Sequence, residues 1–330
     1  MTYLSAVVAG AGGFIGGHLV KSLIDDGYDV LAIDIDPVDE WLYIDKDAEN
    51  MSLDLREPSA IKNLIYDNEE VYNLAASTGG AWYNHTNKLS CMRNASINLN
   101  LLNESIGVDG VKYFFASSAS VYPIRYQFTP AVSNPRPLTE GSDFLATSVP
   151  DGNSGLEKIF NETATTQYHI DSGLHTRIGR YFNVYGPRCE WNQGLEGAVA
   201  ALCRKIAIAK LSNDRFINIW GDGKQSRSFI YIDDAIDATR LLMNSTYAYP
   251  VNIGNAKSHT IDELVTVIES VAGVTVKRVY DSSGPTGVYS RACSTELLNE
   301  IIDWQPKYSL EAGIEKTYAW IYDQVSADWY

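Results

Sequence analysis

Residues 3–34, YLSAVVAGAGGFIGGHLVKSLIDDGYDVLAID, constrain the fold more than any other stretch. A short apolar run of strand-forming residues meets a glycine-rich turn. Beyond it, Phe14, Ile15, Leu19, Val20, Leu23 and Ile24 recur at helical spacing until Gly27 closes the segment. Strand, glycine turn and helix in succession form the context of a dinucleotide fingerprint. Gly10 then makes the tight turn, Gly13 lets a pyrophosphate approach the backbone, and Gly16 lets helix and strand pack closely, with Phe14 and Ile15 opening the helix beside the cofactor. The next strand, YDVLAIDID, brings Asp34 to the position about 20 residues on where a carboxylate accepts both hydroxyls of an adenosine ribose. That carboxylate would repel a 2′-phosphate, so the expected cofactor is NAD rather than NADP.

Further strands follow at the spacing of an alternating chain. Asp54 and Leu55 come after a short strand and are expected to face the adenine. VYNLAAS at 71–77 supplies Leu74, Ala75 and Ala76 for close cofactor approach, and VKYFFASSASVY at 111–122 is the next strand. Helical stretches at 59–66 and 91–106 lie between them, which predicts an α/β fold, a Rossmann-type doubly wound parallel sheet. From about residue 183 the pattern breaks into loops, short strands and isolated helices. The expected division is an NAD-binding domain, 1–182, and a mainly substrate-binding α/β lobe, 183–330, with some strands of the first sheet contributed from the second half. No Pro- or Ser-rich linker separates the two.

Composition removes several function classes. A net charge of −15 argues against a nucleic-acid partner, which needs clustered Lys and Arg. No apolar run reaches the roughly 18 residues of a membrane span, and the N-terminus lacks the features of a secretory signal, so a cytoplasmic location is expected. Cys91, Cys189, Cys203 and Cys293 are scattered and read as reduced thiols. No histidine has metal-ligand spacing, so no metal is expected.

The stretches GAGGFIGGHL, VYNLAAS, FFASSASVYP, SGLEK, RIGRYFNVYGP, ALCRK, WGDGKQSRSFIYIDD, PVNIGN, GPTGV and TYAWI run almost end to end. Together they resemble the extended short-chain dehydrogenases/reductases, the group of nucleotide-sugar epimerases, dehydratases and decarboxylases, and within it the GDP-mannose 3,5-epimerases. The resemblance implies transient oxidation of a sugar carbon by bound NAD and later return of the hydride. It implies a Ser holding the reacting hydroxyl, a Tyr taking its proton and a Lys tuning that phenol. Ser118 and Lys158 fall on the first and last positions, but Ser154 falls on the tyrosine. A serine hydroxyl is far less acidic than a phenol, whose pKa is about 10. The 3,5-epimerases also use a Cys and a Lys on opposite sugar faces; Ser120 and Gly197 fall there. Candidate replacements are a water-mediated relay from Ser154 to Lys158, or a tyrosine from elsewhere, Tyr122 or Tyr126, whose ordinary reading is packing.

Substrate contacts are expected on the carboxyl side of the sheet. In STGGAWYN, Gly79 and Gly80 can offer backbone N–H groups to a sugar, with Trp82 and Tyr83 as flat walls. Asn183 ends a strand where an amide could grip a diphosphate oxygen. In ALCRK, Arg204 and Lys205 suit either a nucleotide contact or a solvated face. The resemblance places Gln225, Arg227 and Arg291 near the nucleotide sugar, and paired guanidinium donors suit a diphosphate. It also implies a homodimer through the 91–106 and 155–168 helices. A decarboxylase or dehydratase, and an inert NAD- and sugar-nucleotide-binding protein, remain the alternative readings.

Overall fold

The computed structural model describes residues 4–66, 69–79, 81–127, 137–140, 150–192, 194–283 and 287–329, less the side chains of 81, 82 and 85. In chain order the elements are β1 (Ser5–Ala9), α1 (Phe14–Asp25), β2 (Asp29–Asp34), β3 (Glu49–Ser52), α2 (Pro58–Ile61), β4 (Glu70–Asn73), α3 (Ala81–Thr86), α4 (Lys88–Ser105), β5 (Lys112–Ser118), α5 (Gly152–Ser172), β6 (His175–Tyr181) and β7 (Val184–Tyr185). They continue with α6 (Ala198–Ser212), β8 (Phe216–Trp220), β9 (Ser226–Ser228), β10 (Ile230–Tyr231), α7 (Ile232–Asn244), β11 (Pro250–Ile253), β12 (Ser258–Thr260), α8 (Ile261–Ala272), β13 (Lys277–Asp281), β14 (Ser290–Arg291), α9 (Glu296–Ile302) and α10 (Leu310–Trp329).

Seven strands form one parallel sheet in the order β11-β6-β5-β4-β1-β2-β3. Its strands are apolar on both faces because helices cover both. In β1, Ala6 and Val8 join one buried cluster while Val7 and Ala9 join the other. In β5, Phe114 lies with the first pair, and Tyr113 and Phe115 with the second. That period of two sends alternate side chains to opposite faces of a fully covered sheet. The α/β doubly wound architecture is therefore the one the strand–helix alternation predicts.

Two local expectations change. The helix expected over 59–66 is a single turn, α2, and the chain leaves it through Asn63 in a left-handed conformation (φ 60°). Leu55 is 3% exposed and packs with Ile33, Ile61 and Val71, so it belongs to the core. Leu55 lies in the turn beyond β3, where its apolar side chain is drawn into the core.

The second half of the chain builds three small sheets: β10-β7, β12-β9-β14 and β13-β8. β9 and β14 are parallel and pair Ser226 with Ser290 and Arg227 with Arg291. The Gly-Asp-Gly turn after β8 uses left-handed glycines at 221 (φ 84°) and 223 (φ 77°). All four cysteines are buried and free. Among the described residues no helix is long and apolar enough to cross a membrane.

Candidate active site

The glycine turn is built by backbone contacts that leave no room for side chains. Gly10 takes φ 84°, and a Cβ there would lie 2.7 Å from the Ala75 nitrogen. A Cβ on Gly16 would lie 1.9 Å from the Gly10 carbonyl oxygen, whereas at Gly13 the nearest atom would be that oxygen at 3.5 Å. The first and third glycines are thus consumed by packing, and the middle one keeps open space above it. Leu74 N donates to Ala9 O (2.9 Å), holding Leu74, Ala75 and Ala76 along the turn. Phe14 and Ile15 are partly buried against the core at the helix start.

Asp34 ends β2 with its carboxylate fastened to the same turn. Gly12 N donates to one oxygen (3.0 Å) and Ile35 N to the other (2.7 Å). Burial pushes its pKa above the ordinary carboxylate value, partly offset by these backbone donors. A Cβ on Gly12 would come within 2.7 Å of the Trp41 ring, whose Nε1 donates to Asp36 O. Trp41 is a wall of this pocket that no motif marked; the only signal was a tryptophan soon after the acidic strand end. Asp54 is held by the Arg56 fork (2.8 and 2.6 Å), which keeps its carboxyl below the usual range.

At the carboxyl end of β5, Ser118 is the last strand residue, and its Oγ accepts from Ser120 N (3.2 Å). Lys158 on α5 donates from Nζ to Ala116 O (2.9 Å) and lies over the Phe115 ring at 4.8 Å. The helix start is clamped to the Ser118–Ser120 turn. Asp151 N donates to Ser120 O (2.9 Å), and a Cβ on Gly155 would lie 2.2 Å from that oxygen. Ser154, one residue before Gly155, lies in the helix turn held against Ser120. The Ser120 hydroxyl is buried with no hydrogen-bond partner, and a Cβ on Gly197 would meet nothing within 4 Å.

Neither candidate tyrosine serves this turn. Tyr122 is 2% exposed, donates to Asn252 Oδ1 (2.7 Å) and accepts from Arg180 (3.1 Å), and burial pushes its pKa up. Tyr126 is exposed and lies against the Arg125 guanidinium. The Tyr83 hydroxyl bonds Ser77 Oγ (2.7 Å) and its ring packs against Gly79, where an added Cβ would come within 2.9 Å of it. Gly80 and the Trp82 side chain lie outside the described residues.

Across the cleft, the register of β9 and β14 sets Arg227 and Arg291 side by side. Arg227 donates to the carbonyls of Ser226 (2.8 Å), Tyr289 (3.3 Å) and Val288. Burial and the neighbouring Arg291 charge pull its pKa down to about 9, so it stays cationic at neutral pH. Arg291 donates from Nε to Gln127 Oε1 (2.7 Å) and from Nη2 to Asp151 Oδ2 (2.5 Å). Asn183 donates to Ser228 O (2.9 Å), so one amide hydrogen is already spent. Gln225 donates to Trp220 O (3.0 Å) while its Oε1 is buried without a partner. Lys205 donates to Asn218 O (2.8 Å) with its ammonium 5.5 Å from the half-exposed Trp220 ring. Arg204 pairs instead with Glu196 (2.6 Å).

A glycine cradle with an acid at the end of the second strand, joined to a Ser at the end of β5 and a Lys on α5, defines a class of Rossmann-fold enzymes working with a dinucleotide. The chain belongs to the NAD dependent epimerase/dehydratase family, which it matches over residues 6–254. It is 35% identical over 329 residues to GDP-mannose 3,5-epimerase 1 of Oryza sativa subsp. indica, covering 97% of this chain and 82% of that one. It is 27% identical to UDP-glucuronic acid decarboxylase 1 of Arabidopsis thaliana, over 95% of this chain and 68% of that one. The crystal structure of UDP-glucose 4-epimerase with UDP-glucose from Thermotoga maritima superposes with a TM-score of 0.83 at 26% identity, over 98% of this chain and 100% of that one.

NAD is the cofactor of this family, and the cradle described here fits it, because the open space over Gly13 adjoins a helix start that favours a pyrophosphate. The ribose clamp expected of Asp34 requires its ionised form. Since its pKa is raised, the clamp holds above that value and is lost as pH falls through it, earlier than for a free carboxyl near about 4. Calorimetry between neutral and mildly acid pH should show NAD affinity falling in the wild type and a flatter, weaker profile in Asp34→Asn.

Proposed function

We propose that this protein is an NAD-dependent nucleotide-sugar epimerase that takes a GDP-mannose-like nucleotide-diphosphate hexose. NAD, when bound, accepts a hydride from a sugar carbon and later returns it. Ser118 holds the reacting hydroxyl, Lys158 orients the nicotinamide ribose, and Ser154 stands at the usual phenol position. Arg227 and Arg291 grip the diphosphate, with Asn183 beside them, while Lys205, Gln225 and the Trp220 face receive the base. Gly79 lines the sugar. The observation that supports the reading is the ion pair between Arg291 and Asp151, which holds Arg291 against the start of the helix bearing Ser154 and Lys158.

A decarboxylase is the second reading, favoured by the bare space at Gly197 and the unpartnered Ser120 hydroxyl. A carboxylated sugar loses CO₂ once oxidised and needs no base at either position. A panel of GDP- and UDP-sugars in heavy water separates these readings. Deuterium at a ring carbon with no net consumption of NAD is the expected result; CO₂ release establishes the second reading. Saturable binding with every sugar unchanged means an inert binding protein. The same reading includes a homodimer: Leu89 and Met92 on α4, and Leu156 and Phe160 on α5, form exposed apolar pairs at helical spacing.

A further inference from the structure

The third position of α5 lacks a phenol, and a carboxylate stands three residues before it. Asp151 precedes the first residue of α5, so Asp151 and Ser154 are its N-cap and N3 positions, three residues apart at the start of the helix. An N-cap carboxylate usually accepts from the backbone N–H groups of that turn. Asp151 makes no such bond, and its carboxylate turns to Arg291 instead. Its own N–H is tied to Ser120 O, which fixes it to the strand end carrying Ser118. Lys158 cannot take over the phenol's role as an ammonium, because that group has donors only, and its Nζ already serves Ala116 O.

Arg291 has Arg227 in register beside it, so two cations share one carboxylate. Arg227 itself donates to the carbonyls of Ser226, Tyr289 and Val288. A diphosphate carries more charge than Asp151 and offers several acceptor oxygens, so it would outcompete the carboxylate for both guanidinium groups.

Resting on the nucleotide-sugar reading above, we propose that Asp151 is the proton acceptor that replaces the missing phenol, bridged to the sugar by the Ser154 hydroxyl and released from Arg291 by the incoming diphosphate. The sugar O–H bond breaks and its proton goes to Ser154 Oγ, which passes its own proton to Asp151 Oδ. The freed electron pair forms the C=O bond as the carbon's hydrogen leaves with its electrons to the nicotinamide. The return step reverses each transfer, so no outside oxidant is consumed.

Two measurements test this separately. In calorimetry with GDP and UDP, Asp151→Asn should bind the preferred diphosphate about fivefold tighter than wild type, because the internal competitor is gone. In single-turnover reduction of the nicotinamide, followed by absorbance on the sugar panel, Asp151→Asn and Asp151→Ala should fall about 100-fold or more. Added formate should partly restore Asp151→Ala, and Ser154→Tyr should restore Asp151→Asn, neither of which a lost structural ion pair would allow. Wild-type rates in Asp151→Asn, or no rescue by either route, overturn the proposal. A wild-type protein that binds NAD and diphosphate yet oxidises no sugar also overturns it and leaves the binding reading intact. Absence of any heat with NAD sinks that reading itself.

Discussion

Arg180→Ala is expected to destabilise the protein by about 3–5 kcal/mol, the cost of leaving a buried charge without its partner. Arg180 on β6 and Glu162 on α5 are 3% and 5% exposed, and their groups meet through two bonds of 2.8 and 2.7 Å. Ser117 adds a third bond to the same carboxylate at 2.5 Å, and Tyr122 accepts from the other arm of the guanidinium. Removing Arg180 strands Glu162 in a site that water does not reach. Replacing both ends with apolar groups, as in Arg180→Met with Glu162→Leu, should recover most of the loss, because desolvating the pair offsets much of its attraction. Urea unfolding reads both, with the midpoint shifting and the slope unchanged. Additive losses in the double variant would show that the pair is not coupled. Because Ser117 adjoins Ser118, these bonds also tie the end of β5 to α5.

That pair explains why some of the site was legible in the sequence and some was not. Gly10, Gly13, Gly16 and Asp34 answer to contacts within one strand–turn–helix unit, where spacing alone fixes geometry. Ser118 and Lys158 were marked by the family resemblance of FFASSASVYP and SGLEK. Glu162 with Arg180, and Asp151 with Arg291, join residues 18 and 140 positions apart. No local pattern encodes such a meeting; only the strand order and the small β12-β9-β14 sheet bring them together. Tyr122 shows the same limit, because its distance from the reacting serine in sequence is short while its ring is drawn under the sheet to Arg180 and Asn252. For Leu55 the sequence marked the segment after a strand, while the burial of its side chain is set by tertiary packing with Ile33, Ile61 and Val71.

Gly16→Val should weaken NAD binding by about 100-fold or more, near 2.7 kcal/mol, while diphosphate binding changes less than about twofold. The atoms a Cβ would meet at Gly16 are the carbonyl oxygen and carbon of Gly10 at 1.9 and 2.7 Å and the Ala11 Cα at 2.9 Å, all of them backbone. No flexible side-chain end is available to yield, so α1 must move off the turn or the turn must open, and either displaces the N–H groups that would receive the pyrophosphate. A branched side chain widens the gap beyond what alanine would require. Gly13→Ala provides the contrast, because its Cβ meets only the Gly10 oxygen at 3.5 Å. That variant should unfold at the wild-type temperature and lose affinity only through the methyl group standing where the phosphates approach, whereas Gly16→Val should also lose several degrees of Tm. Calorimetry with NAD and with a nucleoside diphosphate, alongside thermal unfolding, separates the two variants. Undiminished NAD binding by Gly16→Val would mean that the cofactor sits away from this turn, and the assignments built outward from it, Asp34 first, would fall with it.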